Sequence, residues 1–381
     1  RTFTPGIEKA ATFIASEFER IGLEKPANAN GYLQTFDLIR PAFKSATATL
    51  DEKIIEQKDI IAITTTENLS VNEQSGYEVV TIPKGGEFFN EARKHVNAGK
   101  NRLVIVDPSH SANFPRLTNF KSQMMPSVTS TVFILGETVP SKFSISARHE
   151  ISKASLSNVV GILPGTSRKD EYVIFSGHYD HLGIGKPLNG DSIFNGANDD
   201  AAGTTAMIML AKYYKALNQN ERTLVFAAFT AEEIGGFGAT YFSKQFYPKQ
   251  VMAMFNIEMI GTESKWGKNS AYITGYEKSS MGEILKQNLV GSPFTFYPDP
   301  YTDQNLFYRS DNATLAELGV PAHTISTSKM DSEPNYHKAS DEVQTLDLDN
   351  MTEIIKAIAK SATSIISGQD TPSRVDTAKL K

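Results

Sequence analysis

Six side chains in this sequence are of the types that hold divalent metal ions and move protons: His178, Asp199, Glu232, Glu233, Glu258 and His337. Zinc accepts imidazole nitrogen and carboxylate oxygen, and a hydrolytic zinc keeps one position open for water. His178 lies in Gly177-His178-Tyr179-Asp180, and Asp180 stands two residues on, in reach of the second ring N–H. Asp199 lies in Gly196-Ala197-Asn198-Asp199-Asp200-Ala201-Ala202-Gly203. Asp200 has a structural duty there, satisfying N–H groups at the start of a helix. Asp199 has none, and its two oxygens suit it to bridge two cations. Glu232 and Glu233 follow an apolar run, and two like charges at the end of a buried strand are costly unless a cation or a proton offsets them. The pair invites a division of labour in which one acid ligates metal and the other carries a proton. Glu258 is a lone acid in Asn256-Ile257-Glu258-Met259-Ile260. His337 lies in Tyr336-His337-Lys338-Ala339-Ser340-Asp341, where Asp341 can orient its ring or cap a turn.

Taken singly, each pattern has a plainer reading: a surface His–Asp pair, a doubly acidic helix cap, an acidic first turn, an exposed strand-end acid, a loop histidine. Asp311, in Ser310-Asp311-Asn312, is most simply the N-cap of the next helix, and His181 reads as a bystander. Taken jointly, the set is the inventory of a two-metal hydrolase. The chain has no cysteine, so a transition-metal site must come from His, Asp and Glu. A net charge of −5 with no basic stripe gives nucleic-acid binding no electrostatic support. No apolar run approaches the roughly 18 residues of a membrane helix. The chain begins at Arg1, which reads as a mature or trimmed form.

The elements that must position these groups follow from apolar periodicity. Ile7, Ala11, Ile14 and Phe18 predict a helix over 7–22, stopped at Gly22. A strand is predicted over 32–39. Further strands fall over 157–163, 172–176, 223–229, 252–257, 271–274 and 323–326. Helices fall over 200–217, 238–246, 281–289, 313–318 and 353–366. Strands alternating with helices predict an α/β fold, a mixed, mostly parallel sheet covered by helices on both faces. In such sheets ligands bind beyond the carboxyl ends of the strands, which is where the candidate residues lie. From 42 to 155 short β-prone runs and one helical stretch, 87–96, predict an inserted β-rich module. The catalytic part is then 1–41 with 156–368, and 369–381 is a polar, loosely held tail.

In order and spacing, the stretches Gly177-His178-Tyr179-Asp180, Asn198-Asp199-Asp200-Ala201-Ala202-Gly203, Ala231-Glu232-Glu233, Asn256-Ile257-Glu258, Ser310-Asp311 and Tyr336-His337 resemble peptidase family M28. The resemblance implies a zinc-exopeptidase-like fold, two zinc ions and a peptide substrate. It implies that His178 and Glu258 hold one zinc, that Glu233 and His337 hold the other, that Asp199 bridges them and that Glu232 is the general base. Asp180 would support His178. Asp200, Asp341 and Tyr336 would be supporting or substrate-contacting groups. The Asp199–Asp200 peptide looks cis in relatives. Glu258 stands where many aminopeptidases of the family have Asp, one methylene shorter. Asn198 and Asn312 stand where relatives commonly have an acid and a histidine. The inserted module resembles the protease-associated lid modules of some relatives, and relatives with this architecture are commonly periplasmic or secreted. The oligomeric state is not implied.

Two zinc ions outweigh the charges of Asp199, Glu233 and Glu258, which favours deprotonation of a water. The activity implied is removal of N-terminal residues from peptides. Arg309, beside Ser310, keeps a carboxypeptidase or dipeptidase reading open, since it can bind a terminal carboxylate. An N-acyl amidohydrolase or a one-zinc glutaminyl-cyclase-like acyl transferase would share the fold. A receptor-like binding relative would lack ligands that are present here.

Overall fold

The computed structural model describes residues 1–27, 29–188 and 190–380. The chain divides into two units, Arg1–Phe36 with Leu156–Lys381, and Asp37–Ser155. The long strands Leu33–Leu50 and Phe143–Leu163 carry the chain between them. Among the described residues no helix is long and apolar enough to cross a membrane.

The first unit is built on one sheet. From one edge its strands run Thr295–Pro298, Ser270–Ile273, Ala322–Ser326, Val251–Ile257, Arg168–His178 and Arg222–Phe229, followed by the ends of Phe143–Leu163 and Leu33–Leu50. The four in the middle are mutually parallel. They are apolar almost throughout because both faces are covered, and every residue of Arg222–Phe229 is buried. Alternation sends Val173, Phe175, Leu224, Phe226 and Phe255 to one face. Ile174, Val225, Ala227, Phe229 and Met254 go to the other. On the first face Phe175 lies in register with Phe226 and Phe255, and its ring stacks on both at 5.7 and 4.9 Å between centroids. Such pairs add roughly 0.5–1.5 kcal/mol each beyond area burial.

Helices Pro5–Ile21, Ala202–Leu217, Met281–Asn288 and Leu348–Ser361 contribute to the first apolar layer, and Phe237–Ser243 and Ala313–Ala316 to the second. Pro5–Ile21 shows how the sequence makes such an element. Pro5 supplies a preset φ in the first turn, Ile7, Ala11, Ile14 and Phe18 form the buried stripe, and Gly22 ends it at φ 80°.

Three differences from the sequence reading have physical causes. The helix expected over 200–217 starts only at Ala202, because Asp199 and Asp200 leave helical dihedrals (φ −112°, ψ 88° and φ −134°, ψ 39°). The hairpin Gly183–Leu188 with Asp191–Phe194 and the edge strand Thr295–Pro298 carried too few apolar residues to be read. The polar tail is not loose. The buried Arg222 guanidinium donates to the Ile365 carbonyl (2.6 Å), the Asp370 carbonyl (2.8 Å) and the Thr371 hydroxyl (2.6 Å), while Arg374 donates to the Val251 carbonyl at 2.7 Å.

The second unit has a four-stranded sheet, Ile60–Ile63, Thr131–Leu135, Arg102–Val106 and Glu78–Ile82 in that order, antiparallel in the first pairing and parallel in the others. One face packs on Ala46, Ala48, Leu69, Val71 and Ile145. The other packs on Phe88 and Ala92 of helix Phe88–Val96 and on Phe114 and Leu117. His149 is fully buried there. Its Nε2 lies 3.3 Å from Lys121 Nζ, and burial and that cation push its pKa down to about 4. The unfolded chain takes up a proton at about 6.5, before the folded unit does. This stabilising contribution is therefore complete above about pH 6.5 and falls as the pH drops towards 4. Amide exchange of residues 131–135 and 143–149 should accelerate from pH 7 to 5 beyond its intrinsic pH trend, and His149→Phe should flatten that excess.

Candidate metal centre

The parallel strands all finish at one edge, and the candidate side chains stand on the strand ends and the loops that leave them. His178 is the last residue of Arg168–His178 and lies in register with Phe229, two residues before Ala231. Glu258 follows Val251–Ile257, and its N–H donates to the Ile325 carbonyl. Below them a polar lacing ties strand to strand: Ser176 Oγ to Asn256 Oδ1 (2.8 Å), and Asn256 Nδ2 to Thr324 Oγ1 (3.0 Å) and Ser310 Oγ (2.7 Å). The Ser310 hydroxyl then donates to Glu258 Oε2, fixing that carboxylate.

His178 Nδ1 lies 3.1 Å from the Asp180 carbonyl oxygen, which can only accept. Nδ1 thus carries a proton, and in the neutral ring Nε2 is the nitrogen that offers a lone pair to a metal. The sequence reading gave this task to the Asp180 carboxylate, which is 3.9 Å away. That carboxylate instead accepts from Thr2 Oγ1 (2.8 Å) and from the Glu232 N–H (3.0 Å), so it ties the N-terminal segment to the loop of the paired glutamates.

Asp199 is held by its backbone. Asp341 accepts from Asn198 N–H (2.8 Å) and Asp199 N–H (3.0 Å), and does not orient His337 as its sequence position suggested. Asp200 accepts from the N–H groups of His178, Gly203 and Met259, each at 3.1 Å, and so links three segments as well as serving the helix start. The helix can come this close because residue 203 is glycine; a Cβ there would lie 2.0 Å from the Ile257 carbonyl oxygen. The Asp199–Asp200 peptide is cis.

Asp199 then faces both ways. Its Oδ1 is 3.2 Å from His178 Nε2, and its Oδ2 is 3.3 Å from His337 Nε2. His337 Nε2 is also 3.2 Å from Glu233 Oε2. Two donors on a tetrahedral zinc, each about 2.0–2.1 Å from the ion, stand about 3.3 Å apart. Charge-assisted N–H···O bonds are shorter, roughly 2.7–2.9 Å. The spacing is that of shared coordination, and the buried His178 Nε2 has no hydrogen-bond partner. Single donor atoms of His178, Asp199 and Glu258 lie within 4.8 Å of one another, and so do those of His181, Asp199 and Glu233. The residues present fit zinc.

The charge balance points the same way. Burial pushes the Glu232 carboxyl well up; His178 opposes the shift and Glu258 and Asp311 reinforce it. Burial would also raise Asp199, but His178 and His337 outweigh it and hold that carboxyl below its usual range. His337, in contact with Asp199 and Glu233, is raised to about 10. Gathering this many acids out of water is costly without compensating cations.

Two further residues depart from their sequence reading. Asp311 does not cap a helix. It is buried, neither of its oxygens has a hydrogen-bond partner, and burial with help from Glu258 pushes it to about 8 against the pull of His178. His181, read as a bystander, has Nδ1 at 2.7 Å from Glu233 Oε1. The signal available in the sequence was its three-residue offset from His178. Tyr336 stacks on His337 with centroids 4.0 Å apart, and Arg309 donates to its hydroxyl at 3.5 Å.

A mostly parallel sheet with imidazoles and carboxylates gathered at its carboxyl edge defines a metal-binding α/β protein. The model of peptidase family M28 matches residues 158–362, and the chain belongs to that family. A probable leucine aminopeptidase of Trichophyton verrucosum is 29% identical over 209 residues, 52% of this chain and 54% of that protein. The chain thus spans about half the length of the curated relatives it matches. Among solved structures, an aminopeptidase from Aneurinibacillus sp. strain AM-1 is similar with a TM-score of 0.53 at 17% identity, over 99% of this chain and 92% of that one. A zinc aminopeptidase from Bacillus subtilis is similar with a TM-score of 0.55 at 16% identity, over 99% and 91%. These likenesses show a shared fold.

Asp341→Ala removes the acceptor of two N–H groups behind Asp199. It should weaken zinc binding by about 10–100-fold, as loss of a group supporting a metal ligand typically does. Competition against a chromophoric chelator measures this, with Asp341→Asn falling between.

Proposed function

We propose that this chain is a two-zinc aminopeptidase that removes N-terminal residues from peptides. The observation that carries the reading is the Asp199 carboxylate, whose two oxygens face two separate sets of donors. His178 and Glu258 would hold one zinc and Glu233 and His337 the other, with Asp199 shared. Zinc held there supplies a Lewis acid that polarises the substrate carbonyl and eases the loss of a proton from water.

The chain's own groups do the rest. Glu232 Oε2 lies 4.0 Å from His178 Nε2, beside the first set of donors. Burial raises its pKa well above the usual carboxylate range, which strengthens it as a base able to take a proton and later give it back. It takes the proton from the attacking water and returns it to the leaving amine nitrogen. Tyr336, raised to about 12 by burial and by Asp199, keeps its proton and is the donor we assign to the developing oxyanion. The acids crowded at this edge favour a cationic α-amine over a carboxylate at the substrate end. A cleft beside Glu258, lined by Tyr272, Leu306, Met330 and Ser326, is the place for the substrate side chain. Export to the periplasm or medium belongs to the same proposal and rests on the family alone.

The test is hydrolysis of aminoacyl-nitroanilides and their N-blocked equivalents by zinc-loaded protein. Free-amine substrates alone should be cleaved. Glu232→Gln should lower kcat by about 10²–10⁴ or more with zinc content unchanged. Cleavage of peptides only from the carboxyl end would overturn the aminopeptidase reading and give Arg309 its role.

A further inference from the structure

His181 is 8% exposed and stands three residues after His178, in the loop that leaves that strand. The Gly196 backbone wedges its ring in place: at φ 67°, a Cβ on that glycine would lie 2.7 Å from the imidazole Cγ. The loop that presents Asp199 therefore also fixes His181. The imidazole Nδ1 is 2.7 Å from Glu233 Oε1 and 4.0 Å from Asp199 Oδ2, and the ring meets that of His337 edge-on, with centroids 5.8 Å apart.

The approach to Glu233 is as short as a charge-assisted hydrogen bond, but it is not directed as one. Both ring nitrogens of His181 and Oε1 of Glu233 are buried without a hydrogen-bond partner. Leaving such groups unsatisfied in the interior is costly. They are not aimed at each other along an N–H direction, as two ligands of one ion are not. His337 Nε2 reaches the same pair of acids from the other side, 3.2 Å from Glu233 and 3.3 Å from Asp199. Four side chains thus converge on this position, whereas His178, Asp199 and Glu258 form the donor group at the other.

We propose that His181 is a fourth protein ligand of the metal held by Asp199, Glu233 and His337, so that this position is closed by protein while the His178–Asp199–Glu258 position stays open. The inference rests on the two-zinc reading above. A closed tetrahedral set holds zinc as a structural element, and an open one does chemistry. Water and substrate then meet at the His178 side, where Glu232 also stands. The two positions differ in affinity, and the closed one fills first.

The experiment titrates metal-free full-length protein with zinc against a chromophoric chelator. X-ray absorption of protein loaded with one zinc per chain then counts imidazoles around the ion. Wild type should bind two zincs, the tighter one with two imidazoles. His181→Ala should weaken the tighter position by more than about 100-fold, beyond the roughly 10–100-fold expected of a residue that acts through a ligand. His181→Gln, which can still donate to Glu233, should not restore it. Recovery by Gln to within tenfold, or a single imidazole at the tighter wild-type position, would overturn the proposal and leave His181 a positioning residue. Because the imidazole count uses wild type, it stands even where a variant fails to fold. A wild type that binds one zinc with two imidazoles would sink the two-zinc reading while supporting His181.

Discussion

Buried negative charge at the carboxyl edge of the sheet is the constraint on which the rest of this unit turns. Asp180, Asp199, Asp200 and Asp311 are all buried near that edge, with Glu232, Glu233 and Glu258 among them. The molecule deals with them in two ways. Asp200 and Asp341 spend their oxygens on backbone N–H groups and Asp180 divides its own between the Glu232 N–H and the Thr2 hydroxyl, fixing the loops that bear His178, Asp199 and Glu232. Asp199 and Glu233 turn theirs towards imidazoles at coordination distance. The first group makes the scaffold around the second, so the candidate metal donors are held by the same hydrogen bonds that fix their loops.

That arrangement depends on the strands below it. Parallel pairing brings Ser176, Ala227, Asn256 and Thr324 to one level, two residues before His178, and the lacing of Ser176, Asn256, Thr324 and Ser310 holds the level against slippage. A one-residue slip of a strand would reverse which side chains face each apolar layer, separating Phe175 from Phe226 and Phe255. Core packing therefore sets the register, and the register sets where the donors stand.

The sheet and its helices were legible because long apolar runs such as 223–229 admit few alternatives. The side chains at the strand ends were legible as a set, by residue type and order. What local spacing did not carry was the choice of partner. At two residues' distance, Asp180 offers both a carboxylate and a carbonyl to His178, and only the turn geometry selects the carbonyl. Asp341, four residues from His337, reaches instead to residues 198 and 199. Asp311 precedes a helix, as a cap would, yet the chain path buries it without a partner. His181 was passed over because nothing in its neighbours' sequence places Glu233 beside it. Short edge strands and the pinned tail escaped for a related reason: they are fixed by contacts with distant residues.

Arg222 carries a consequence for the order in which the molecule can be completed. It begins a central strand, yet its guanidinium is satisfied by groups at Glu171, Ile365, Asp370 and Thr371. A chain emerging from the ribosome reaches the sheet's middle well before it delivers those carbonyls. Until residues 365–371 are released, Glu171 can pair with the guanidinium Nε, but the other two nitrogens lack the acceptors that satisfy them in the finished unit. Thr2, hydrogen-bonded to Asp180, sets a similar condition at the other extremity of the unit. The two segments thus act as clasps, and the unit reaches its final packing only once both are in place.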